Sequence, residues 1–257
     1  MRCVLLLVMC SQLAPAQAPA RPRGGGGSGS PVPGFLQFNG ALSKLFGEHK
    51  AFTAQMEIEV RQGSADENMT MPTKLSFLDG NSRIELDLAR AKGPQIPPAM
   101  AEQFKAMGIA EMTMLSRSDK QTAFLICPGL LSYAEMKPEG GAGDADKVKV
   151  QTSEIGKESM DGHACVKNKV MVTDAAGKAT ESTVWNATDM KGFPVRIETA
   201  DGKDKVTMKL KDVKFTKPAS ALFDPPAAYT RYADVQVMMQ EGVMKKMLGG
   251  AGAKPAK

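Results

Sequence analysis

The sequence predicts a mainly β fold, a long antiparallel meander with a few helices, and three observations carry that prediction. From Ala51 onward, short segments alternate apolar and polar residues with period two, the pattern of strands wet on one side. Turn residues separate them, as at Asp79-Gly80-Asn81, Asp119-Lys120, Asp174-Ala175-Ala176-Gly177 and Asp201-Gly202. A length of 257 residues allows one large all-β domain or two small ones with a substantial core.

Taken in order, the chain opens with a basic Met1-Arg2 and an apolar run from Val4 to Met9, followed by small residues at Ala14-Pro15-Ala16. This is the layout of an export signal, residues 1–16, with an apolar run too short to span a bilayer. Ala16-Gln17-Ala18 is a second cleavage spacing, though Pro19 would then follow the cut. Leu7-Val8-Met9-Cys10 is similar to a lipoprotein processing box, with Met9 in place of the usual small residue, so a lipid anchor through Cys10 is the alternative. Residues 17–34, rich in Gly, Pro and Ser, have no apolar periodicity and read as a flexible linker. The folded β domain is expected over 35–232.

Asn39 caps a short helix with Leu42, Leu45 and Phe46 on one face. The cleanest strand follows at Ala51–Val60, where Phe52, Ala54, Met56, Ile58 and Val60 alternate with polar neighbours. Met69–Leu78 and Ile84–Leu88 form a hairpin around Asp79-Gly80. Pro72 implies that the first of these strands begins late or lies at an edge. Ile96–Met107 is a helix opened by Pro97-Pro98 and ended by Gly108, and its stripe of Met100, Phe104 and Met107 should lie on the sheet. Strands at Met112–Ser118 and Thr122–Cys127 come next, with Leu131, Tyr133 and Glu135 extending the meander and 139–146 a flexible loop. Alternation resumes at Val148, Val150 and Thr152. Further strands are expected at Cys165–Thr173, Thr180–Asn186, Pro194–Thr199, Lys205–Leu210 and Val213–Thr216. The last part, 233–257, is a helix over Ala233–Leu248 and a disordered tail.

The segment Gly162-His163-Ala164-Cys165, together with Val184-Trp185, Lys191-Gly192-Phe193-Pro194-Val195 and Leu222-Phe223-x-Pro-Pro, resembles the DUF4412 family of bacterial exported proteins. That family is related to the periplasmic lipoprotein carrier (LolA-like) superfamily, and the resemblance covers roughly Phe35 to Tyr232. It implies a strongly curled antiparallel sheet, an unclosed β-barrel, with one or two helices on its concave face and a C-terminal helix. It also implies that the concave apolar surface holds acyl chains, with the Ile96–Met107 helix placed as a lid. No individual ligand residue carries over from it.

The chemistry of sites is thin. His49 and His163 are the sole histidines, and neither a metal-ligand spacing nor a nucleophile elbow accompanies them. His163 and Cys165 are two apart, on one face of a strand, and read as a solvated strand-end histidine beside a thiol. No catalytic residue, metal or cofactor is expected, and the chain reads as a non-enzyme. Cys127 and Cys165 either form one disulfide or are two separate buried thiols. The formal charge of +5 comes from lysines spread singly along strands (Lys203, Lys205, Lys209, Lys211, Lys214), and three Tyr and one Trp offer little for base stacking. Nucleic acid is excluded as a partner.

Methionine is the compositional oddity. Of eighteen, Met56, Met69, Met71, Met112, Met114 and Met208 fall on apolar strand parities, either as an ordinary core or as a surface that adapts to varied apolar ligands. The candidate binding face comprises Met56, Ile58, Met71, Phe77, Met100, Phe104, Met112 and Met114. The expected function is an exported envelope protein that binds a lipid or other apolar molecule on that face. The alternative is a structural or interaction module that presents edge strands or the C-terminal helix to an envelope protein.

Overall fold

Alternation becomes burial residue by residue in β1 (Ala51–Arg61), where Phe52, Ala54, Met56, Ile58 and Val60 are buried and the residues between them are not. The computed structural model describes residues 44–61, 68–94, 96–136, 148–173, 177, 179–201 and 204–250. The signal and anchor readings at 1–16, the linker at 17–34, the Asn39 cap, the 139–146 loop, Lys203 and the tail after 250 lie outside them.

Twelve strands form one sheet. β2 (Asn68–Leu78) and β3 (Asn81–Asp87) are joined by a two-residue turn at Asp79 and Gly80, with φ of 48° and 85°. Positive φ at both central positions matches the twist of the flanking strands, and Asp-Gly tolerates it. β4 (Glu111–Arg117), β5 (Thr122–Cys127) and β6 (Ser132–Met136) continue the meander. β7 (Lys149–Met160) and β8 (His163–Thr173) make a second hairpin around Asp161 and Gly162. β9 (Ala179–Ala187), β10 (Phe193–Asp201) and β11 (Asp204–Lys214) lead back to β1, and β12 (Thr230–Tyr232) joins at the far side. The order is β12-β6-β5-β4-β3-β2-β1-β11-β10-β9-β8-β7. All neighbours are antiparallel except β12 with β6, and β12 and β7 are not paired with each other, so the sheet is not closed. Among the described residues two α-helices accompany it, α1 (Pro98–Met107) and α2 (Val235–Gly250).

The sheet curls over its buried face. Lys44 Nζ donates to the carbonyl of Val148, just before β7, while the ring of Phe46 packs on Phe52 of β1 and Phe77 of β2. In a flat sheet the start of β7 would lie five strand spacings across and roughly eleven residues along from Phe52, about 43 Å away. Two side chains only two residues apart bridge those places, so the strands must wrap toward each other. The face they wrap around is the concave one, and it carries the core.

Several expectations are corrected here. Pro72 lies inside β2, a strand flanked on both sides, because β3 covers β2 only from Thr73 onward and Thr70 is next bridged by Lys92. The missing N–H therefore falls in a gap of the ladder. The strands expected at Lys205–Leu210 and Val213–Thr216 are one strand, β11, whose pairing with β1 slips near Asp212, a residue with φ of 50°. β7 runs well past Thr152 to Met160. The stripe of α1 is not laid on the sheet: no α1 residue is buried, and the helix packs against the Leu88–Arg90 turn and α2.

After β11 the chain crosses the convex face. Phe223 is fully buried there, Arg83 donates to the Leu222 carbonyl, and Arg117 donates both to the Phe223 carbonyl and to Asp224. Arg117 also makes a two-pronged bond to Asp119, which holds that carboxyl near a pKa of about 2. The crossing segment is thus latched to the end of β4.

Candidate functional site

Strand register sorts the concave face into rows that run across the sheet. Val206, Val60 and Met69 make one row, and Met208, Ile58 and Met71 the next. Leu210, Met56, Thr73, Leu86 and Met112 follow, then Ala54, Leu75, Ile84, Met114, Leu125 and Ala134. The last row is Phe52, Phe77, Ser82, Ser116 and Ala123. Within this block Thr73 is a buried hydroxyl, and it donates to the Met56 carbonyl at 2.6 Å, so it brings no unmet polar group into the core.

Six of the eight candidate residues, Met56, Ile58, Met71, Phe77, Met112 and Met114, sit together on this face and are buried. Met100 and Phe104 do not join them. They stand half-buried on α1 at the margin of the sheet, where α1 connects the end of β3 to the start of β4.

The two ends of the face differ. At the end where β1 begins, Phe46, Phe52, Phe77 and Phe193 pack with ring centroids 4.8–5.8 Å apart, and His49 and Phe215 extend the cluster. At the opposite end the rows are aliphatic and thioether, bordered by α1, by α2 and by the Pro128–Leu130 turn. α2 enters behind Asp234, whose carboxylate caps the N–H groups of Gln236 and Val237, and its Met238 is fully buried. α1 is pinned at its C-terminus, where Gly108 takes a left-handed φ of 74° against Gly129. A Cβ on Gly129 would lie 2.5 Å from the Gly108 carbonyl oxygen, so only glycine allows that approach. The N-terminal part of α1 has no comparable anchor among the described residues.

The remaining candidates resolve simply. Cys127 and Cys165 are free and buried, on β5 and β8, with seven strands between them in the sheet order, so the disulfide is not formed. Burial pushes the Cys127 thiol up to about 11, which keeps it protonated at neutral pH, and its sulfur lies 4.0 Å from that of Met239. His163 pairs with Asp189 at 2.8 Å, and the Cys165 thiol donates to the His163 carbonyl, so the imidazole does not face the sulfur. Among the described residues no group of three His, Cys, Asp or Glu could hold a metal ion. Trp185 is buried between Lys167 and Arg196, and its indole N–H donates to Glu158. Lys209 bonds Glu59, and Lys205 and Arg196 both hold Glu198, so the convex side is knitted by ion pairs. A depression of about 330 Å³ on that side is lined by Lys74, Arg83, Glu85, Asp87, Arg90 and Glu111 beside Pro72, Leu86, Met112 and Pro128.

Sequence reasoning missed the phenylalanine cluster, because its members come from positions 46, 52, 77 and 193. It also missed the crossing segment and its Arg117 latch.

No protein-family model matches the chain, so the DUF4412 resemblance finds no matching model, and no curated protein is significantly similar to it. Solved structures do match. A LolA superfamily protein from Nitrosomonas europaea is 9% identical, with 73% of this chain and 96% of that chain covered and a TM-score of 0.36. The lipoprotein LppX of Mycobacterium tuberculosis is 12% identical over 70% of this chain and 93% of its own, at a TM-score of 0.37. LprF of Mycobacterium bovis is 15% identical, with coverages of 74% and 93% and a TM-score of 0.38.

Proposed function

We propose that the chain is a non-enzymatic binding protein that holds a lipid or another apolar molecule along the concave face of its sheet. One observation carries the reading. The concave face is apolar apart from Thr73, Ser82 and Ser116, rich in methionine in its middle rows and buried within the curl, plugged by rings at one end and bordered at the other by a helix none of whose residues is fully buried. Thioether side chains are unbranched and polarizable, so they repack around varied shapes at small cost. Met100 and Phe104 keep part of their apolar surface exposed, where a ligand could cover it. The ligand would enter beside α1, displace it about the Gly108–Gly129 contact, and be stopped by the phenylalanines. In this reading the protein is exported and acts in the cell envelope, as the apolar run at Val4–Met9 leads one to expect.

The test is to purify the full chain from an envelope fraction, extract it with solvent and analyse the extract by mass spectrometry. Stoichiometric lipid, displaced by a fluorescent fatty acid and reduced in Phe104→Asp, is the expected result. No co-purifying lipid together with no fatty-acid binding would overturn the reading in favour of a purely structural or interaction module.

A further inference from the structure

Outside the rows of the concave face, a groove opens where α2 passes the start of β6. It has a volume of about 450 Å³ and is lined by Leu130 and Leu131, by Tyr232 of β12, and by Gly242, Lys245 and Lys246 of α2. Such a volume falls within the range of sites that hold small molecules. None of the candidate residues of the concave face borders it. A missing side chain shapes the groove. Gly242 is buried against Leu130, where a Cβ would come within 3.0 Å of Cδ1. Helical side chains lean toward the N-terminus, so Lys245 and Lys246, one turn further on, reach back over the gap that Gly242 leaves.

The lining joins apolar surface to cationic groups. Leu131 is 62% exposed and held at a left-handed φ of 48°, so the fold leaves a large apolar side chain open at the margin of the groove. Lys245 Nζ donates to the Tyr232 hydroxyl at 3.0 Å, and that bond raises the pKa of the lysine, so its ammonium stays charged. The Lys246 side chain has no hydrogen bond or ion pair among the described residues. Among those residues no Asp or Glu lines the groove. The carboxylate of Glu241, one turn earlier on α2, stands 4.0 Å from Lys245 Nζ, beyond hydrogen-bond reach. Two ammonium groups and a phenol therefore meet leucine side chains with no acid set between them.

We propose that this groove binds a single-chain amphiphile with an anionic head, a carboxylate or a phosphate. The head accepts hydrogen bonds from Lys245 and Lys246, each of which carries three donors, and charge on both partners strengthens those bonds. The chain lies on Leu130 and Leu131 and covers apolar surface that is otherwise wet. An inorganic anion leaves the leucines uncovered, and a neutral chain leaves the lysines without an acceptor. The inference does not rest on a ligand along the concave face.

The experiment follows methyl resonances of the full chain by NMR during titration with decanoate, decyl phosphate, decanol and inorganic phosphate, the amphiphiles kept below micelle formation. The methyls of Leu130 and Leu131 report the groove, and those of Met56 and Met71 report the concave face separately. Decanoate and decyl phosphate should shift the leucine methyls saturably, and the tighter of the two identifies the head. Decanol and inorganic phosphate should each bind there more weakly, on the order of tenfold. Lys245→Gln with Lys246→Gln, both at exposed positions, should lower the affinity for the anionic amphiphiles by a similar factor, on the order of tenfold. Unmoved leucine methyls, equal binding of decanol, or full affinity in the lysine variant overturns the proposal. Shifts confined to Met56 and Met71 also overturn it and assign the amphiphile to the concave face, whereas shifts confined to Leu130 and Leu131 uphold it without that face.

Discussion

Where β1 begins, the concave face is closed by rings within 6 Å of one another, and the convex side behind it is latched by Arg117 to Asp119 and Asp224. Where β1 ends, the same face is lined by methionine and aliphatic residues and bordered by α1, none of whose residues is fully buried, and by α2, which buries one side. Rings have few rotamers and fixed preferred geometries, so the first end is a jigsaw. Thioethers have many rotamers and no fixed mutual geometry, so the second end, equally buried, is packed by adaptable side chains. The difference teaches that one sheet can join an end of fixed ring geometry to an end of adaptable thioether packing.

Breaking the rigid end should cost most. Phe52→Ala removes a ring that touches Phe46, Phe77 and Phe193, and should lower the unfolding free energy by about 3–5 kcal/mol in chemical denaturation. A loss under about 1 kcal/mol would mean the cluster is not a plug. Next, Gly129→Ala should cost roughly 1–3 kcal/mol by forcing the Gly108 carbonyl away. Hydrogen exchange should then accelerate in 98–107 and leave β1 protected. Equal acceleration in both would deny α1 its independence. Met71→Leu keeps volume and should cost less than about 1.5 kcal/mol, while narrowing the range of fatty acids bound. A stability loss as large as that of Phe52→Ala would erase the distinction between the ends.

The smallest effect concerns the latch. Arg117 depresses Asp119 from the ordinary 3.8 to about 2, so the folded state holds this carboxylate ionised more readily than the unfolded chain does. Its contribution is complete above pH 3.8 and is lost as the pH falls through about 2. Asp119 is half exposed, so solvent screening keeps the effect small. In Asp119→Asn the stability profile should be flatter between those pH values, and an unchanged slope would remove the latch from the argument.

The sequence made much of the architecture legible where local chemistry and fold agree. β1 could be read to within a residue because its parity separates core from water, and Asp79-Gly80 fixed its hairpin because both residues tolerate positive φ. The stop of α1 at Gly108 was equally plain. β7 beyond Thr152 was hidden because both its faces are wet, so no alternation marks it. β11 read as two strands because the irregularity at Asp212 resets the parity. β12, three residues long, has no period to detect. Of the eight candidate residues, the six on strands share the apolar parity of the sheet and so lie together on its buried face. Met100 and Phe104 formed a correct stripe on a correct helix, but periodicity says nothing about what a stripe will touch. The rings and the Arg117 latch join distant parts of the chain, and only the sheet order brings them together.

Among the described residues the open curl leaves two strand edges unpaired, and their treatment bears on how the protein behaves in a crowd. One edge is β12, too short to template a further strand and packed beside α2. The other is β7, twelve residues long and wet on both faces, the kind of strand on which amyloid-like stacking can start. Its pairing slips between Glu154 and Gly156, and Lys149, Glu154, Lys157 and Glu158 punctuate its length. An incoming strand would have to match a kinked register and bury four charges. The barrel can therefore stay unclosed at high local concentration without its molecules joining edge to edge into fibres.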